Sequence, residues 1–359
     1  MKKLIMSISI VFVSLSALIA FSVVPAFAAT PSYSVLGTWT FNDRYGVPYA
    51  HTMVIDSFNP STGDFSGYGF YNAGPSLTWT ITGNESSDAI AFTLLTGGSV
   101  PGVTLNGSGT VASATSMSGT GSQSNIPGYP SQNITWNATH ATTACTKTGF
   151  YRDGINMTAA LINPSGTVTG DVDATGCNVG VYYNIGTGTV DHANVFGSNY
   201  FGVLVNGDDN NVSVNISNSN IHNIGQFPFD GTQHGVAIYY RSFGAGSAAG
   251  EITGNTVSLY QKGGIAANGN ATVNVTNNTV TGLGPVGFIA QNGIQLGYDA
   301  TGIIEGDTVS GNYYSGDSWK SGGVLFYQPL AGTVLHPSRN NLFDNQVNFL
   351  NFGRTAPVK

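Results

Sequence analysis

Charge is what this chain has least of. Only 8% of its 359 residues are Asp, Glu, Lys or Arg, where an ordinary soluble domain carries about 25%. Lys and Arg total 11 against 18 Asp and Glu, so no basic surface exists to neutralise phosphates, and nucleic acid and anionic membrane are excluded as partners. The strong helix formers Glu, Lys and Arg are thin as well, which excludes a mainly helical fold. Cysteine is nearly absent: Cys145 and Cys177 are the only two, with no Cys-x-x-Cys spacing for zinc or redox chemistry. Disorder is excluded by the 41% hydrophobic content. What is abundant is glycine, 49 residues, about double the usual ~7%. The composition predicts an all-β, turn-rich, folded chain.

Lys2 and Lys3 precede an apolar run from Leu4 to Val24, and Ala26-Phe27-Ala28 supplies the small residues a signal peptidase reads. Residues 1–28 are therefore expected to be a signal peptide, and the mature protein to be secreted or at the cell surface, with no membrane association after cleavage. In that compartment two cysteines 32 positions apart predict a Cys145–Cys177 disulfide. Tryptophans Trp39, Trp79 and Trp136 are expected in a core.

Residues 29–140 read as a module of eight short strands separated by Gly, Asn, Ser and Pro: an antiparallel meander barrel. Alternation is plain in Thr78-Trp79-Thr80-Ile81-Thr82. Gly37-Thr38-Trp39 on the first strand resembles the Gly-x-Trp opening of calycin barrels, the avidin and lipocalin type. That resemblance implies an interior able to hold a small ligand.

Residues 141–167 read as a linker. Beyond them the texture changes: 24 Asn fall in the 182 residues from Asn178 onward against 10 in the 177 before. A six-residue cassette recurs at Val190–Val195, Ile216–Ile221, Ile252–Val257, Val275–Val280 and Ile304–Val309, two β-branched residues around a polar corner. Alternating with it are Gly180-Val181, Gly202-Val203, Gly235-Val236, Gly264-Ile265, Gly293-Ile294 and Gly323-Val324. The repeat period predicts a solenoid, each coil burying its apolar residues against the next. The pattern resembles right-handed parallel β-helices of the pectate-lyase-like superfamily over residues 168–350, with 351–359 as a tail. That fold hosts many activities, so a function has to be argued from a site.

Three connections between cassette and glycine pair are long: Gln226–Gln233, Gly282–Gln291 and Asn312–Ser321. The short one between Val257 and Ile265 is expected to floor a notch between the first two, with Tyr260, Gln261 and Lys262 at its base. Wall candidates for stacking or bonding sugar rings are Phe227, Phe229, Gln233, Tyr239, Phe288, Gln291, Tyr314 and Trp319. For catalysis the candidates are Asp230, His234, Arg241 and Lys262. Gln233-His234-Gly235 resembles the Gly-His-Gly segment of polygalacturonase-type hydrolases on this fold, but the accompanying carboxylates are missing. Asp208-Asp209 lies in the turn after a strand, not on one. A hydrolase needs two carboxylates about 5 to 10 Å apart, which disfavours hydrolysis. No cofactor is required by any motif; Ca²⁺ is the one candidate ion, at Asp208 and Asp209 or at Asp171 and Asp173. The expected partner is an extracellular polysaccharide or surface glycan. Competing expectations are a lyase or epimerase acting on uronate-containing glycan, and a structural surface solenoid.

Overall fold

The computed structural model describes residues 30–44, 48–128, 130–141, 143–328, 334–336 and 339–353. The expected signal peptide lies outside the described residues. Every regular element among them is a strand, and no helix is long and apolar enough to cross a membrane.

The first eight strands, from Gly37–Arg44 to Gln132–His140, form a closed antiparallel barrel in sequential order. Closure comes from pairing of the first strand with the last, Trp39 opposite His140. Alternation puts Trp39, Phe41, Trp79, Phe92 and Trp136 inside, all buried. Phe41 lies 6.0 Å from both Trp79 and Trp136, and Phe92 lies 5.1 Å from Trp136. Each indole nitrogen finds an acceptor: Val35 O for Trp39, His51 Nδ1 for Trp79, Thr120 O for Trp136. In the barrel interior, where the calycin resemblance implies room for a small ligand, these rings pack against one another.

Residues 141–167 are not simply a linker. They contain strands Thr146–Arg152 and Ile155–Ile162, an antiparallel hairpin that opens a nine-stranded sheet. Later strands of that sheet are parallel, and a second, twelve-stranded parallel sheet runs alongside it. The chain visits them in turn, so successive coils stack strand on strand. In the second sheet Val190, Ile216, Ile252, Val275 and Ile304 are consecutive ladder partners, all fully buried. A parallel column joins Val195, Ile221, Val257, Val280 and Val309. In the nine-stranded sheet the column is Val181, Val203, Ile238, Ile265, Ile294 and Val324.

That last column corrects the register at one coil. Ile238, not Val236, pairs with Val203, and Val236 joins an outer cluster with Phe201 and Tyr239. Val236 and Ile238 are β-branched two positions apart, and a two-residue slip leaves the alternation looking unchanged. The residue before each column member is small for a spatial reason: a Cβ on Gly202 would sit 2.6 Å from Ile221 Cγ2, and one on Gly264 2.5 Å from Val280 Cγ1.

The corners carry a buried polar ladder. The backbone N–H of Ser219 donates to Asn255 Oδ1, that of Asn255 to Asn278, that of Asn278 to Asp307 and that of Asp307 to Asn340. Each Asn turns its amide onto the column carbonyl of an earlier coil, Asn255 onto Ile216 and Asn278 onto Ile252. Asp307 is the exception: its Oδ2 is buried without a partner, and burial pushes its carboxyl up to about 6. Because the folded value lies above the ordinary one, this group's contribution is most favourable below pH ~4 and is lost as pH rises toward 6, about 2 to 3 kcal/mol in all. Asp307→Asn should therefore raise the melting temperature at pH 7 and leave it nearly unchanged at pH 4. Equal shifts at the two pH values would show that the ladder, not the charge, sets the effect.

The barrel rests on the first coils. Thr38 N–H donates to Asp173 Oδ2 at 2.8 Å, Asn223 Nδ2 to Phe58 O at 2.5 Å, and Tyr68 O–H to Asp171. Asp171 and Asp173 thus act as acceptors where the barrel meets the first coils.

Candidate functional site

A groove of about 1530 Å³ crosses the outer face of the nine-stranded sheet. It follows the coil stack, from Phe201 through Tyr239, Ala266 and Gln295 to Leu325 and Phe352. Strands spaced about 4.8 Å apart give this run a length of roughly 20 to 25 Å. Strand alternation builds the floor: positions beside the inward column point out, so Tyr239, Ala266, Gln295 and Leu325 form one row, and Asn268 and Tyr327 stand in the next. The rows are tied together across coils, Asn268 Nδ2 donating to the Tyr239 hydroxyl at 3.1 Å and Gln295 Nε2 to Asn268 Oδ1 at 3.0 Å.

One edge carries Phe243, Tyr298 and Tyr327, ring centroids 5.9 and 5.0 Å apart in succession. The opposite edge is made by the long connections, which bring Gln233, Phe288, Tyr314 and Trp319 to the groove. Trp319 is 72% exposed, so its ring is available to a ligand. Three cations line the groove, Arg152, Lys262 and Lys320, against a single acid among the described lining residues, Asp317. In a chain of net charge −7 that is a local reversal of sign. Lys262 Nζ donates to Ala290 O at 2.8 Å, and burial brings its ammonium down to about 8. The Arg152 guanidinium lies 5.7 Å over the Phe201 ring.

Of the residues singled out from sequence, the structure gathers Gln233, Tyr239, Lys262, Phe288, Tyr314 and Trp319 here. It places the others elsewhere. Tyr260 is wholly buried, its hydroxyl donating to Asn312 Oδ1 at 2.6 Å. Gln261 and Gln291 are wholly buried too and brace loops: Gln261 holds the 226–233 connection, and Gln291 Oε1 accepts from Leu283 N–H at 2.9 Å. The notch floored by 260–262 therefore does not form, and the opening runs along the stack instead of between two walls. Phe227 packs on Phe58 of the barrel at 5.5 Å, and Phe229 lines a small cavity of about 160 Å³ at the same junction.

The catalytic candidates are largely occupied with structure. His234 is buried, stacked on Tyr200 at 4.0 Å, with Nδ1 directed at Asn199 O at 2.9 Å; burial lowers its pKa. Arg241 is paired with Asp208, donates to Asn206 Oδ1 at 2.7 Å, and lies between the rings of Phe150 and Phe243, 4.8 and 5.2 Å away. Asp208 also accepts from Phe243 N–H at 2.7 Å, so its carboxylate is committed to a cation already in the chain. Among the described residues no three His, Cys, Asp or Glu converge to hold a metal ion. Asp230 sits in the 226–233 connection; burial acts to raise its pKa, but hydrogen bonds from Thr232 and Gln261, with His234 nearby, leave it lowered.

Sequence reasoning missed Arg152, Phe201, Phe243, Asn268, Gln295, Tyr298 and Tyr327. The signal for four of them existed: with Ile238 in the column, counting outward from each column residue reaches Asn268, Gln295 and Tyr327, and Phe201 lies in the Val236 row. Comparisons of the chain with family models, with curated proteins and with solved structures find no match.

Proposed function

We propose that this chain is an exported glycan-binding protein, that its stacked coils form a right-handed parallel β-helix of the pectate-lyase-like kind behind a calycin-like barrel, and that the groove takes one extended polysaccharide chain without cleaving it. The observation that carries this reading is the lining: exposed aromatic rings on both edges of an open groove whose floor is a hydrogen-bonded row of Tyr, Asn and Gln. Sugar rings offer apolar C–H faces to aromatic side chains and hydroxyls to amides, and a polymer suits a run of 20 to 25 Å better than a small molecule does. Hydrolysis lacks its second carboxylate, since Asp317 stands alone among the described lining residues. The expected leader and the disulfide support a site of action outside the cell.

A second reading is favoured by one specific observation, the Lys262 amine brought down to about 8 in the same groove as Arg152. A base near that value and a cation to neutralise a carboxylate are what a uronate lyase or epimerase requires. Incubating the mature protein with neutral and uronate-containing polymers, with and without Ca²⁺, separates the two. Retardation of a polymer in affinity electrophoresis with no rise in ultraviolet absorbance from unsaturated ends is expected for the binder. Accumulation of unsaturated product would transfer the assignment to the lyase.

A further inference from the structure

The 226–233 connection is folded onto one side chain in an arrangement suited to acyl transfer. Gln261 is wholly buried, and its backbone N–H is fixed to Ile224 O at 2.8 Å. Its side-chain carbonyl Oε1 faces two backbone N–H groups, those of Gln226 at 3.2 Å and Asp230 at 3.4 Å. Its Nε2 lies 2.8 Å from Thr232 Oγ1, 2.9 Å from Thr232 O and 3.2 Å from Asp230 Oδ1. The Thr232 hydroxyl in turn donates to Asp230 Oδ1, which also accepts Thr232 N–H at 2.8 Å. Hydroxyl, base, amide and a pair of donors on the amide oxygen are therefore in mutual contact. Those are the parts an acyl-transfer centre needs, nucleophile beside base and oxyanion donors aimed where charge develops.

We propose that Thr232 and Gln261 become joined by an intramolecular ester, formed once per chain after folding. The hydroxyl oxygen accepts from Nε2–H at 2.8 Å, which holds it beside the amide nitrogen, one bond from Cδ. Asp230 accepts the Thr232 proton as Oγ1 bonds to Cδ, and the negative charge that develops on Oε1 is held by the N–H groups of Gln226 and Asp230. Collapse of the tetrahedral species breaks the Cδ–Nε2 bond. Asp230 passes its proton to the departing nitrogen, which leaves as ammonia, and the carboxylate is regenerated. Thr–OH and Gln–CONH₂ thus become Gln–CO–O–Thr and NH₃, with no change of oxidation state and no further reactant. Thr232 lies at the surface, so ammonia can escape, while the burial of Gln261 keeps bulk water from competing for its carbonyl. The product would fasten the loop that carries Phe227 and Phe229 to the barrel junction and Gln233 to the groove.

Peptide mapping of the purified protein, denatured, reduced at its one disulfide and digested with trypsin, tests this directly. Cleavage after Arg241 and Lys262 places Thr232 on the peptide ending at Arg241 and Gln261 on the peptide 242–262. The expected result is one linked species, lighter than the two peptides together by one ammonia, and split by hydroxylamine. Thr232→Val and Asp230→Ala should each yield the two peptides separately at full mass. Separate full-mass peptides from the wild-type chain would overturn the proposal. So would a linked species that persists in Thr232→Val.

Discussion

Ile252→Ala should lower stability by about 2 to 5 kcal/mol, read as a shift of the denaturation midpoint at unchanged slope. Ile252 is wholly buried, with Ile216 before it and Val275 after it in the ladder. Removing its side chain leaves a void that backbone hydrogen bonds on both sides prevent from collapsing. Stacked coils draw their stability from contacts with the next coil, so one void weakens two interfaces at once. The neighbouring Thr253 supplies the control, because it points outward in the same strand and pairs with Ser217 and Thr276. Thr253→Ala should change stability by no more than about 0.5 kcal/mol. Comparable losses from the two substitutions would mean that the column is not the core of the stack.

Replacing Cys145 by Ser should cost about 3 to 4 kcal/mol, the loop-closure contribution of a bond across 32 positions. The bond joins the start of the hairpin strand Thr146–Arg152 to the approach of the coil strand Val179–Tyr183. That hairpin brings Phe150 against Arg241 and Arg152 to the groove. The variant should accordingly lose its first coil before the rest, which hydrogen exchange would register as early loss of protection over residues 146–183. Uniform loss of protection along the whole chain would show instead that the stack opens as one unit.

The repeating parts of this fold were legible because physics writes them in a repeating way. A coil must present a β-branched residue at a fixed place, and Val190, Ile216, Ile252, Val275 and Ile304 announce it. The disulfide followed from an even cysteine count and an expected extracellular setting. The hairpin within 141–167 was not legible: it occurs once and pairs antiparallel, so no period marks it. The register at Ile238 was ambiguous for the reason given, two β-branched residues two positions apart.

The candidate site was half legible. Aromatics on irregular connections, Phe288, Tyr314 and Trp319, were found because insertions stand out against a period. Gln261, Gln291 and Tyr260 were misplaced because polar residues at a coil corner can serve the ladder as readily as a ligand, and only hydrogen-bond partners distinguish the two. Arg241 stands out in the sequence as a catalytic candidate, yet its partner Asp208 lies 33 positions away on the preceding coil, a proximity that only the coil spacing creates. Arg152 was out of view entirely, carried in by the unmarked hairpin.

The most direct test of the glycan-binding groove is the dissociation constant of the best-retarded polymer, measured for the mature protein and three variants. Trp319→Ala and Tyr298→Ala remove exposed rings from opposite edges, each an aromatic contact of about 1 kcal/mol or roughly fivefold in affinity. Asp209→Ala, on a turn that does not line the groove, is the control. The account expects weakening by both ring variants at unchanged melting temperature, and no change for Asp209→Ala. Full affinity in both ring variants would contradict it.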